Sequence, residues 1–179
     1  KRIPMHGEQR YHFLMTFFPG IILFIIAYML LTTFRDFRDN FSAEIWAAVS
    51  DTHNPSIYTT TEVVVSLLVL TGMGGLILIR NNHQALTMNH VIIVAGFMLI
   101  GLANFLFENT RINASTWMIL IGMGLYMGYI PFNSIFFDRL LATFKYTGTV
   151  GFIMYLADAF GYLGSISVLY VKEFVGIQV

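Results

Sequence analysis

The chain has 179 residues, of which 56% are hydrophobic and 11% are charged, and its formal net charge is +0. Soluble domains carry about 25% charged residues, so this composition excludes an ordinary soluble globular protein. The balanced charge gives no support for a nucleic-acid partner. The sequence contains 0 cysteines, which excludes disulfides, thiolate catalysis and thiolate metal sites.

Five apolar stretches follow one another along the chain, separated by short polar segments. A bilayer core about 30 Å thick needs about 20 apolar residues at about 1.5 Å each. The stretches cover residues 12–34, 60–79, 89–107, 115–137 and 148–171. The first is too long for a signal peptide and four more follow it. The pattern predicts an all-α polytopic transmembrane helical bundle of about five spans, forming a single domain over residues 1–179 within a lipid bilayer.

The positions of Lys and Arg predict the orientation, because loops rich in these residues tend to stay in the cytoplasm. The side of the membrane that holds the N-terminus carries Lys1, Arg2, Arg10, Arg80, Arg139 and Lys145, and the other side carries Arg35, Arg38, Arg111 and Lys172. We therefore expect a cytoplasmic N-terminus. An odd number of spans then places the C-terminus outside.

The first helix is expected to continue beyond its apolar stretch. Apolar residues recur every three or four positions while charges occupy the other faces, so the helix is expected to end near Val49, before the loop at 51–55. The spacing pairs Arg35 with Asp39. Pro19-Gly20 is a candidate kink. The charged segment either lies on the outer interface or, in a tilted helix, lines a water-filled cavity.

Asp158 lies near the middle of the fifth stretch. A charge at the bilayer centre costs about 2.5 to 3.5 kcal/mol on insertion scales, and so short a side chain cannot reach the interface. It therefore requires a polar partner. It is either a proton-coupling carboxylate, or the counter-ion of a substrate-binding arginine, or an acid that holds two helices together by hydrogen bonds.

Arg35 is the second candidate, because a guanidinium offers the forked donors that match phosphate and carboxylate oxygens. The alternative is a solvated interfacial charge, and Arg38 and Asp36 fit that alternative better. Tyr126, Tyr129 and Asn133 of the fourth stretch, with Asn104 of the third, either line a substrate cavity or form hydrogen bonds between helices.

Small residues mark the later stretches and predict close helix packing. They are Gly124 and Gly128 in the fourth stretch, and Ala157, Gly161, Gly164 and Ser165 in the fifth. Bendable transporter helices are the alternative. The five histidines form no His-Glu-x-x-His motif and no Walker loop is present. The sequence therefore predicts no metal site, no cofactor and no enzyme.

Three segments give the chain a family resemblance. They are residues 28–41, with Arg35 late in an aromatic-rich helix; residues 121–131, rich in glycine and ending at Pro131; and Gly148-Thr149 with the run from Gly161 to Ser165. The chain resembles helices seven to eleven of a major facilitator superfamily transporter. Within that superfamily it looks most like the organophosphate/phosphate antiporters, and residues 35–41 are also similar to an uncharacterised bacterial transporter-like family.

The resemblance implies half of a major facilitator type fold in a bacterial inner membrane, with Arg35 as the ligand of a phosphorylated or carboxylate solute. It also implies that an N-terminal half and a final helix complete the transporter, because alternating access rocks one half against the other. We expect a secondary active transporter of a small anionic solute, with Arg35, Tyr126 and Asn133 binding it and Asp158 as coupling acid. The alternative is a non-transporting structural or assembly protein.

Overall fold

Helices form nearly all of the backbone that the structure describes. The computed structural model describes residues 6–50, 56–144 and 151–175. The helices are α1 (Gly7–Thr16), α2 (Phe18–Asn40), α3 (Ser42–Val49), α4 (Ser56–Ile77), α5 (Asn82–Glu108), α6 (Ala114–Pro131), a π-helix (Phe132–Phe136), α7 (Phe137–Thr143) and α8 (Gly151–Val175). These three ranges contain no strand, so the predicted all-α class is confirmed. The expected loop at 51–55 and the start of the fifth stretch at 148–150 lie outside the described residues.

Four helices in the described part of the chain are long and apolar enough to cross a membrane. They are α2 and α5 over their full lengths, α4 over Ser56–Leu76 and α8 over Gly151–Phe174. Large apolar side chains on these helices are exposed, among them Leu23, Leu67, Met98, Phe105, Leu163 and Ile166. So apolar an outer surface suits lipid rather than water. The chain is therefore a helical bundle of the multi-pass membrane class.

The first apolar stretch is broken at Phe17, which moves its membrane-spanning part towards the charged residues. α2 has Pro19 in its first turn, where the missing N–H costs nothing because the first N–H groups of a helix have no intrahelical acceptor. The candidate span is Phe18–Asn40 rather than residues 12–34, and it includes Arg35. After a second break at Phe41, α3 continues to the expected end of this helix.

The fourth apolar stretch is helical but is not one uniform α-helix. α6 has 18 residues, ends with Pro131 and is followed directly by the five-residue π-helix. Proline removes a helical hydrogen bond, and both proline and π turns bend helices. Helical structure therefore covers the whole expected span at 115–137, and α6, the π-helix and α7 share it.

Glycines allow close approach at two helix pairs, α5 with α6 and α2 with α8. A Cβ added at Gly96 would lie 2.6 Å from the carbonyl oxygen of Gly124. A Cβ added at Gly161 would lie 3.2 Å from Oγ1 of Thr32. Gly128 also faces a neighbouring helix, since its Cβ would lie 2.7 Å from a methyl carbon of Leu31. Such approaches are typical of small-residue contacts between membrane helices.

The other small residues of α8 are also at or near the contact with α2. Gly164 faces Met29 of α2. Ala157 and Ser165 are buried, and Ala157 belongs to the same apolar core as Tyr28. α2 therefore lies between α8 and α6, and α4 and α5 pack on α6. This arrangement brings the polar residues of α2, α6 and α8 together.

Candidate functional site

Polar side chains from three helices and the π-helix meet inside the bundle. We name this group the central polar cluster, and it consists of Tyr28, Arg35 and Asp36 of α2, Tyr129 of α6, Asn133 of the π-helix, and Asp158 and Ser165 of α8. Sequence reasoning singled out four of these residues, and the fold brings them into one cluster: Arg35, Tyr129, Asn133 and Asp158.

Tyr28 links Asp158 to the rest of the cluster. Its hydroxyl donates to Oδ1 of Asp158 at 2.5 Å. The Nδ2 group of Asn133 donates to the hydroxyl of Tyr129 at 2.7 Å, and a longer contact of 3.4 Å reaches the hydroxyl of Tyr28. The two tyrosine rings are stacked with centroids 5.6 Å apart. Asp158 therefore has a hydrogen-bond partner within the protein, as the cost of a charge in an apolar stretch predicts.

Arg35 lies against the same tyrosine pair. Its Cζ is 3.9 Å from the centroid of the Tyr129 ring, within the range of a cation–π contact. Its Nε donates to Oδ1 of Asp36 at 3.0 Å, and its Nη2 donates to that same oxygen. Ser165 donates to Oδ2 of Asp36 at 2.6 Å. The predicted pair of Arg35 with Asp39 is therefore wrong.

The charges of the central polar cluster are partly screened from solvent. The side chains of Arg35 and Asp36 are 17% and 20% exposed. The guanidinium of Arg35 pairs with the carboxylate of Asp36, and hydroxyl groups donate hydrogen bonds to the carboxylates of both Asp36 and Asp158. Such a site offers forked donors for an anion, and a carboxylate that can take up or release a proton.

A second charged group lies next to the first on α2. We name it the Arg38 cluster, and it consists of Arg38 and Asp39 of α2, Glu62 of α4 and Tyr126 of α6. Arg38 Nη2 donates to Glu62 Oε1 at 2.6 Å, and Nη1 donates to Asp39 Oδ1 at 3.0 Å. Tyr126 donates to the other oxygen of Asp39 at 2.8 Å.

The Arg38 cluster corrects the expectation for Arg38 and separates Tyr126 from Arg35. Arg38 is not a solvated interfacial charge, since only 4% of it is exposed. Tyr126 does not join Arg35, because its hydroxyl is hydrogen-bonded to Asp39. Helix geometry explains why the two arginines have different partners. Arg38 lies three residues after Arg35 in α2, so its side chain points in a different direction and reaches Glu62 of α4 rather than α8.

Sequence reasoning missed Glu62 and the role of Tyr28. Glu62 is the one acid of α4, and a lone acid at the start of an apolar run is a signal for a buried partner. Tyr28 carries a hydroxyl within an apolar run, which is a weaker signal. Asn104 lies outside both clusters, where its Oδ1 accepts from Nε1 of Trp117 at 2.8 Å.

Two cavities adjoin the Arg38 cluster. The larger, of about 500 Å³, is mostly apolar and lies between α2, α3, α5 and α6, with Arg38 in its lining. The smaller, of about 150 Å³, is lined by Asp39, Ser42, Trp46, Tyr58, Glu62 and Tyr126. Neither lining includes a residue of the central polar cluster. Within the described ranges, no three His, Asp or Glu residues are grouped to hold a metal ion.

The fold and the two charge clusters between its helices define a multi-pass helical membrane protein. By sequence, the chain belongs to the family of unknown function DUF5690, whose model matches residues 1–179. No curated protein and no solved structure matches the chain.

Proposed function

We propose that the protein is a secondary active transporter of the major facilitator type that moves a small anionic solute by alternating access. The observation that supports this most directly is the placing of Arg35 and Asp158 in one cluster between apolar helices. Ionisable residues inside a membrane bundle are costly and mark substrate pathways and proton relays. Transporters hold their solutes between helices in this way.

Each polar residue has a role in this proposal. Arg35 binds the anion through its guanidinium fork, and Asn133 donates a further hydrogen bond from the π-helix. Asp158 takes up and releases the coupling proton, and Tyr28 positions its carboxylate. Tyr126 is left out of the solute site because its hydroxyl is hydrogen-bonded to Asp39. The membrane is a bacterial inner membrane and the N-terminus is cytoplasmic.

Uptake by proteoliposomes containing the protein tests this proposal. The radiolabelled probes are inorganic phosphate, glycerol 3-phosphate and succinate. Arg35→Lys should lower uptake of the transported probe about tenfold or more, because lysine keeps the charge but loses the bidentate fork. Arg80→Lys, in the exposed segment between α4 and α5, is the matched control and should be active. Equal uptake by both variants would remove Arg35 from the solute site.

The role of Asp158 has a separate readout. Asp158→Asn should abolish the response of uptake to an imposed pH gradient, while exchange of solute for solute continues, because the amide cannot carry the proton. Loss of both activities together, with a folded protein, would count against a coupling role.

Access of water to the Arg35 segment can be measured directly because the sequence contains 0 cysteines. Single cysteines from Thr33 to Phe41 should react with a water-soluble thiol reagent with helical periodicity, and solute should protect them. Uniform labelling that ignores solutes would place the segment on the membrane surface.

A structural or assembly role is the second candidate, and the Tyr28–Asp158 hydrogen bond favours it because that bond joins α2 to α8. Under this role, Asp158→Asn lowers stability and no probe is bound or transported. The uptake and stability measurements therefore separate the two functions.

A further inference from the structure

Arg35 and Asp36 form an ion pair although they are neighbours in α2. Adjacent residues of an α-helix do not face each other. The pair forms because the Arg35 guanidinium lies over the Tyr129 ring and reaches sideways to Asp36 through Nε and Nη2. Contacts with α6 and α8, rather than the helix itself, therefore hold this geometry.

Asp36 offers Arg35 only one of its two oxygens. Oδ1 accepts both guanidinium hydrogen bonds, while Oδ2 accepts the Ser165 hydroxyl at 2.6 Å. The stronger arrangement of an arginine and an oxyanion uses two parallel hydrogen bonds to two oxygens. An incoming anion with two free oxygens can satisfy the fork better than Asp36 does.

We propose that Asp36 is a built-in competitor of the solute for Arg35. The solute anion displaces Oδ1 of Asp36 from the guanidinium, and Ser165 retains Asp36 through Oδ2. This inference rests on the proposed solute-binding role of Arg35. It deepens that role by giving the regulation of the same site, and it suits anions with two adjacent oxygens, such as phosphate esters and carboxylates.

The competitor also sets the strength of binding. Asp36 is in direct contact with the Arg35 guanidinium, so an anion at Arg35 meets repulsion from this carboxylate at close range. When the solute leaves, Asp36 pairs again with Arg35 and no uncompensated guanidinium is left inside the bundle. Weak binding and easy release follow from this arrangement.

Calorimetric titration of inorganic phosphate into the protein in lipid nanodiscs tests the inference. Asp36→Asn should bind phosphate about tenfold more tightly, because the competing charge is removed. Ser165→Ala should bind it several-fold more weakly, because Asp36 is freed to offer both oxygens to Arg35. Glu108→Gln is the control, since it removes one negative charge from an exposed residue at the end of α5, and should not change affinity.

The outcomes distinguish this inference from the proposed function. If Arg35→Lys abolishes phosphate binding but Asp36→Asn leaves it unchanged or weaker, the competitor role is overturned and the solute site remains. Binding by Asp36→Asn alone, with none by the wild type, supports a strong competitor. Absence of binding in both folded proteins overturns the inference and the phosphate site together. If Asp36→Asn does not fold, the weaker binding expected of Ser165→Ala decides the question.

Discussion

The hydroxyl of Tyr28 donates a hydrogen bond of 2.5 Å to Oδ1 of Asp158, and so joins α2 to α8 across 130 positions of the sequence. Tyr28 is only 2% exposed, so water does not replace this bond easily. The contact gives the partly buried carboxylate of α8 a polar partner within the protein.

Replacing Tyr28 by Phe should destabilise the protein. The change removes the hydroxyl that donates to Asp158 and keeps the aromatic ring. The decrease in the free energy of unfolding therefore measures the contribution of this hydrogen bond. Hydrogen bonds between membrane helices contribute about 0.6 kcal/mol to stability on average and up to about 1.7 kcal/mol. We expect a loss in the upper part of this range because the acceptor is a carboxylate. Denaturant titration in micelles measures it.

Tyr162→Phe is the matched control, because it removes the same hydroxyl group from a tyrosine of α8 that is 63% exposed. It should be neutral. A double-mutant cycle of Tyr28→Phe with Asp158→Asn should give a coupling energy equal to most of the single effect. A coupling energy of zero would mean that the bond does not stabilise the fold.

Gly124→Ala should weaken the packing of α5 on α6. A Cβ there would lie 2.8 Å from the carbonyl oxygen of Gly96 and 2.7 Å from a side-chain carbon of Ile100, so the helices must move apart. Overpacking of this kind costs about 1 to 3 kcal/mol. The thermal unfolding midpoint in detergent measures the effect.

The control for this packing prediction is Gly101→Ala on α5, which would meet no atom within 4 Å. Alanine at an open helical site gains about 0.5 to 1 kcal/mol over glycine. The two substitutions should therefore shift the midpoint in opposite directions. A loss of stability at both positions would contradict the packing explanation.

Asn89→Leu should stabilise the protein. Asn89 is fully buried on α5, and both polar atoms of its amide have no hydrogen-bond partner among the described residues. Burying an unpaired polar group costs about 1 to 3 kcal/mol, and leucine has nearly the same size. Asn82→Leu at the exposed start of α5 is a control and should give no such gain. A large loss at Asn89 would show that the amide is paired in the protein.

Arg38→Met should destabilise the fold more than any change of its partners. Met fills the space of the side chain but leaves Glu62 and Asp39 without their cation. Hydrogen bonds to charged groups are worth about 1.5 to 3 kcal/mol, and we expect about 2 kcal/mol because Glu62 is 44% exposed. Chemical denaturation measures the loss.

Adding Glu62→Gln to Arg38→Met should restore part of the stability, because one unpaired carboxylate is then removed. Glu62→Gln alone should cost less than Arg38→Met. A double variant less stable than Arg38→Met alone would contradict this account of the Arg38 cluster.

The sequence was sufficient for the fold class and for some of the site. Apolar length alone predicts membrane helices, and the cost of a charge in lipid marks Asp158 as a residue with a partner. The identity of that partner depends on how α2 and α8 are rotated against each other. Tyr28 therefore became visible only in the structure.

The same limitation explains the error at Arg35 and Arg38. Helical spacing favours the pair of Arg35 with Asp39, worth only a few tenths of a kcal/mol, and contacts with other helices easily outweigh it. Glu62 of α4 and Ser165 of α8 are distant in sequence. The contacts that Glu62 and Ser165 make with α2 leave no periodic pattern in the sequence, so spacing along the chain does not predict them.

The two arginines of α2 have a joint consequence for motion. Arg35 is held with α6 and α8 through Tyr129, Asp36 and Ser165, while Arg38 is held with α4 and α6 through Glu62 and Met118. Spinning α2 about its own axis would break both sets of contacts at once. The rotation of α2 about its axis is therefore fixed at two positions. The helix either moves together with its neighbours or exchanges both sets of partners in a single concerted step.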